Sequence, residues 1–151
     1  MLRRFLARAS FALTLTLGLG GPALAEQYTQ VGDFEIHYNA VNTSFLTPEV
    51  AQANNIQRSQ GLALLNVSVR EVQEEGDTRA VNAGVEGTVS GLTGEAQNLA
   101  FRTVHDGDST YHLATFRIRE DEPMRFDLDV RYDRNAEPVE ISFIQRFYLE
   151  R

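Results

Sequence analysis

From Asp33 onward the chain alternates. Phe34, Ile36, Tyr38 and Ala40 fall on one side of an extended segment and Asp33, Glu35, His37 and Asn39 on the other, which is the two-residue period of a half-buried strand. The period breaks at Thr47-Pro48-Glu49, where a capping hydroxyl, a proline suited to the first helical position and a first-turn acid predict a short helix from Pro48 to about Asn54. Asn54-Asn55 closes it. Alternation resumes through Ala63, Leu65, Val67 and Val69, then through Val81, Ala83, Val85, Gly87 and Val89. Leu99 to Val104 reads as one strand leading to Asp106-Gly107, a pair that supplies the positive φ of a tight hairpin, and Tyr111 to Ile118 returns. Glu74-Glu75-Gly76-Asp77 and Glu120-Asp121-Glu122-Pro123 mark further reversals. Met124, Phe126, Leu128, Val130 and Tyr132 alternate strictly with Arg125, Asp127, Asp129, Arg131 and Asp133. The last run, Val139 to Leu149, is apolar on both faces over Phe143-Ile144 and Phe147-Tyr148-Leu149, which predicts a central position in a sheet. This pattern predicts an all-β domain: an antiparallel immunoglobulin-like β-sandwich of about seven strands with one short helix after the first long strand, a small closed barrel being the alternative.

The first 25 residues follow another rule. Arg3 and Arg4 precede an apolar stretch from Phe11 to Leu19, and Pro22-Ala23-Leu24-Ala25 stands before Glu26. Positive start, short apolar core and small residues near the end make the pattern of a Sec-type signal peptide cleaved after Ala25. The apolar run is shorter than the roughly 20 residues a bilayer span requires, so a retained anchor is the weaker reading. The expectation is one domain, residues 26–151, in the periplasm, with no membrane insertion after cleavage. All 14 basic residues are arginine, Cys and Trp are absent, and 21 acids give a formal net charge of −7 over 151 residues. Three of those arginines lie in the signal segment and no acid does, so the remainder carries about −10. Such an acidic surface argues against nucleic acid as a partner. Without Cys or Lys there is no thiolate nucleophile, disulfide framework, Cys-ligated metal, Schiff base or P-loop lysine.

Gly32-Asp33-Phe34-Glu35-Ile36-His37-Tyr38-Asn39-Ala40, with Phe45-Leu46-Thr47-Pro48-Glu49-Val50-Ala51, Arg58-Ser59 and Leu64-Leu65-Asn66-Val67-Ser68-Val69, resembles a family of exported proteobacterial proteins, domain of unknown function 4426. The closing Phe143-Ile144-Gln145-Arg146-Phe147-Tyr148 is similar to that family's C-terminal strand. The resemblance implies export and a single domain, and brings no assigned activity, ligand or catalytic residue with it.

Candidate chemistry is sparse. His37, His105 and His112 show no ligand spacing of i, i+2 on a strand or i, i+4 on a helix, so no metal or other cofactor is assigned. His112 shares a face with Ala114, Phe116 and Ile118 and reads as a hydrogen-bonded core histidine, while His105 beside its hairpin reads as solvated. No serine lies in a G-x-S-x-G elbow. Asp127 and Asp129, flanked by Arg125 and Arg131, read as a solvated face with cross-strand ion pairs rather than as an acid–base pair. No catalytic residue is assigned, and the expected role is non-enzymatic: a binding or accessory module for a periplasmic or envelope protein. Its candidate binding residues are His37, Asn39 and Arg58, close in sequence to the helix-bearing connection, whereas Tyr38, Phe45 and Leu46 read as core, with Phe45-Leu46 stapling the helix start. The alternative is a small-ligand or metal-handling protein with a site around His37.

Overall fold

A computed structural model describes residues 27–119 and 121–149, which leaves the expected signal segment and its cleavage point outside the described residues. Among the described residues ten strands form two antiparallel sheets. In chain order they are β1 (Gln27–Val31), β2 (Phe34–Asn42), β3 (Leu62–Val72), β4 (Thr78–Val81), β5 (Gly84–Gly91), β6 (Ala96–Asn98), β7 (Arg102–Asp106), β8 (Ser109–Arg117), β9 (Glu122–Arg131) and β10 (Val139–Phe147). The first sheet runs β1-β2-β3-β8-β7, and β4 continues along β3 beyond the stretch that β8 pairs; the second runs β10-β9-β5-β6.

The extra strands over the expected seven are short pieces where a run that looks continuous changes sheet. Val81 to Val85 breaks at Asn82-Ala83 as the chain leaves β4 for β5, and Leu99 to Phe101 carries it from β6 back to β7, so of the expected strand from Leu99 to Val104 only the part from Arg102 is strand. A tight hairpin forms here, but its two loop residues are Gly107 and Asp108: Asp106 is already paired opposite Ser109, and the positive φ, +60°, is at Gly107 alone.

Between the sheets the period-two faces meet. Ile36, Tyr38 and Ala40 of β2 and Ala63, Leu65, Val67 and Val69 of β3 pack with Phe116 of β8 against Val89, Phe126, Leu128, Val130, Ile141 and Phe147 of the second sheet. Phe126 organises this layer: it stacks on Phe143 at 4.5 Å and meets Phe116 edge-on at 5.2 Å. Each such ring withdraws enough apolar surface to contribute roughly 1.5–3 kcal/mol. Two amides tie β2 to the far sheet: Asn42 Nδ2 donates to Tyr148 O at 2.7 Å and Gln145 Nε2 to Ala40 O at 2.9 Å.

Two expectations are corrected. β10 lies at an edge, not centrally, because its outward side chains face water: Ile144 is 67% exposed. In a sandwich the strand with neighbours on both sides still keeps a polar outer face, and that strand is the strictly alternating β9. Phe45 is 56% exposed instead of core, since it ends a 3-10 turn, Thr43–Phe45, whose anchor is Thr43. Tyr38 is buried and Leu46 half-buried, as expected.

Candidate functional site

A second apolar cluster lies on the outside of the first sheet. Helix α1 (Pro48–Ala53) starts as its sequence dictates, with Thr47 Oγ1 accepting from Val50 N at 3.2 Å and Pro48 in the first turn. It stops where Asn55 takes φ +55°, a left-handed conformation that asparagine tolerates. That turn brings Ile56 N back to Ala51 O at 2.8 Å. Ala51 and Ile56 then bury against Leu64 and Leu113 on the sheet's outer face. Arg102 of β7 donates to the carbonyls of Asn54 and Asn55, pinning the helix end to the sheet edge.

The helix does not close onto the sheet everywhere. Between them runs a groove of about 590 Å³, a size that suits a small ligand or a few side chains. Strand register builds its floor: Asn39 stands opposite Asn66, Asn66 opposite Leu113, and Val41 opposite Leu64. Leu46, Val50 and Ile56 supply the apolar wall, and Glu49, Asp106 and Tyr111 add polar groups. Among the described residues the side chains of Asn39, Glu49, Asn66, Asp106 and Tyr111 form no hydrogen bond or ion pair, and Asn66 Oδ1 is buried without a partner. The buried amide of Asn42, by contrast, donates to Tyr148 O. Uncommitted polar groups converging on an apolar floor are what a binding site offers before its occupant arrives.

Of the expected binding residues, Asn39 lies in this groove. His37 occupies the same outer face two positions away, with Nε2 2.9 Å from Glu35 Oε1 and the Tyr28 ring stacked on it at 5.1 Å. It does not line the groove. Arg58 follows the helix and directs its guanidinium elsewhere, to Ser44 O at 3.3 Å. Sequence reasoning missed Asn66, Tyr111, Glu49 and Asp106. Asn66 carried a signal, because asparagine is disfavoured within strands and this one interrupts Leu64-Leu65 and Val67 on the face turned away from the core.

The other histidines behave as expected. His112 is 1% exposed, and its Nδ1 lies 3.0 Å from Thr103 Oγ1. Burial, and secondarily His105, hold its pKa below the usual 6.5. His105 is exposed and reaches Thr110 Oγ1 at 3.2 Å. On the second sheet the Arg125 guanidinium and the Ser142 hydroxyl hold the Asp127 carboxyl below its ordinary range. That ion pair runs along one strand, from i to i+2, and only the Ser142 contact crosses between strands. Among the described residues no three His, Asp or Glu gather in a way that could hold a metal ion, and no helix is long and apolar enough to cross a membrane.

Comparison with known proteins gives a family and a fold. A family model described as Domain of unknown function (DUF4426) matches residues 28–150. No curated protein matches the chain. The crystal structure of a DUF4426 family protein from Pseudomonas aeruginosa is similar at 32% identity and a TM-score of 0.71, covering 83% of this chain and 97% of that one. FetP of uropathogenic Escherichia coli, recombinantly expressed in the periplasm, aligns at 11% identity and a TM-score of 0.61, covering 87% of this chain and all of that one. A copper-bound FetP variant aligns at 11% identity and 0.59, covering 84% and 92%. At 11% identity the likeness to FetP is one of fold.

Proposed function

The chain belongs to the DUF4426 family, and on that premise we propose that it is an exported, non-enzymatic binding module that holds a segment of a periplasmic or envelope protein in the groove between α1 and the first sheet. One observation carries the reading: five polar side chains without partners among the described residues converge on an apolar floor built by Val41, Leu64 and Leu113. Leaving a buried amide oxygen unpaired costs about 1–3 kcal/mol, so Asn66 is kept on the groove floor at a cost in stability. The signal-like residues 1–25 and the expression of FetP in the periplasm support export.

Capture from the exported fraction of the cells that make the protein tests it, run with wild type beside Ala53→Trp, which fills the groove. A partner recovered by wild type and lost with the filled groove is the expected result. Equal recovery by both proteins contradicts it. The copper-bound FetP variant supports a metal-handling reading around His37, but Glu35 and Tyr28 engage that histidine and the described residues add no further ligand group to it. The groove is therefore the preferred site.

A further inference from the structure

Resting on that reading, we infer that the groove is selective for a peptide segment presenting an apolar side chain beside an arginine or lysine. Charge is the first reason. Glu49 on α1 and Asp106 at the end of β7 are both acidic, and among the described residues neither is neutralised by an ion pair and no basic residue lines the groove. A bound carboxylate would meet two like charges without a counterion, whereas a cation would meet two complementary ones. Backbone complementarity is the second. Asn39 and Asn66 stand side by side on the floor; Asn39 brings an uncommitted carboxamide oxygen and Asn66, whose own oxygen is shut away, an uncommitted amide nitrogen, an acceptor and a donor of the kind a peptide group matches. Apolar contact is the third: Leu64, Leu113, Val41 and the exposed Val50 provide surface for one anchoring side chain.

Fluorescence anisotropy with short acetylated, amidated peptides tests the selectivity. A leucine–arginine peptide is compared with its leucine–glutamine, leucine–glutamate and serine–arginine counterparts. The leucine–arginine peptide binds tightest, Glu49→Gln and Asp106→Asn each weaken it about two- to fivefold, and molar salt removes most of the advantage over the glutamine version. Equal affinity for the glutamine peptide, or no loss in the doubly neutralised variant, overturns the cationic preference. In that outcome the groove reading survives if Ala53→Trp still abolishes binding. If Ala53→Trp leaves all peptide binding intact, the groove reading falls as well. Binding of none of the four peptides overturns the inference, while partner capture tests the groove separately.

Discussion

Asn39 and Asn66 stand directly opposite each other on β2 and β3, and neither carboxamide bonds the other or any other described group. Two amides on one rung of a sheet normally satisfy each other or face water. Here Asn66 Oδ1 is shut away from solvent with no partner. Replacing an unsatisfied buried polar group by an apolar one of similar size removes a penalty. Asn66→Leu is therefore expected to raise stability by about 1 kcal/mol while weakening groove binding, the trade-off expected where a site is kept for function. Urea midpoints measure the first effect and peptide affinity the second. A loss of stability would show that the amide is paired in solution.

His112 makes stability depend on pH. Its pKa is lowered in the fold, by burial first and by His105 second, so below about 6.5 the unfolded chain takes up a proton that the folded chain refuses. The contribution is whole above the unfolded pKa and is lost as pH falls from there toward the folded one. Stability measured at about pH 7.5 and about pH 5.5 should fall more steeply for wild type than for His112→Gln. Parallel curves would refute the assignment.

The closeness of β5 and β9 sets a test of packing. A Cβ added at Gly87 would lie 2.5 Å from Asp127 O and 2.7 Å from Leu128 Cδ2, and the first of these is backbone and cannot move aside alone. Gly87→Ala is expected to cost roughly 1–3 kcal/mol. Gly84→Ala, on the same strand with nothing within 4 Å, is expected to be neutral or stabilising by about 0.5 kcal/mol. Equal denaturation midpoints for the two variants would mean that the sheet is looser than described.

Thr43 holds the connection that carries the groove wall. Fully buried, its hydroxyl accepts from Ser59 N at 2.9 Å and faces the carbonyls of Ser59 and Leu62 at 2.9 and 3.1 Å. Thr43→Val keeps the volume and strands Ser59 N, so a loss of about 1–3 kcal/mol is expected. Hydrogen exchange should quicken at α1 and the segment after it before it quickens in β3. Uniform acceleration across the first sheet would place the effect in global stability instead.

The sandwich was legible in the sequence because period-two alternation reports directly which face of a strand is buried. Met124 to Tyr132 is the clearest instance, and the alternating residues of β2 and β3 meet in the core as read. The cap at Thr47, the stop at Asn54-Asn55 and the core placement of His112 were also legible, each from local chemistry alone. Sheet changes were not, since Val81 to Val85 keeps its alternation while the chain crosses between layers. Nor was the outer cluster: Leu64 and Leu113 look like noise in an alternating strand until α1 is seen to cover them. Of the candidate binding residues, His37 and Asn39 share a face because they are two apart on one strand, whereas the placement of Arg58 depends on how the chain leaves the helix. The groove joins β2, β3, β7, β8 and α1, a juxtaposition that only register decides.

The central claim, that the space between α1 and the outer face of the first sheet is where this protein binds its partner, is tested most directly by mapping backbone amide shifts of the labelled protein during titration with the leucine–arginine peptide. Saturable shifts gathered at residues 39–41, 49–56, 64–66, 106 and 111–113, absent in Ala53→Trp, are predicted. Shifts confined to β5, β9 and β10, on the opposite sheet, would contradict it.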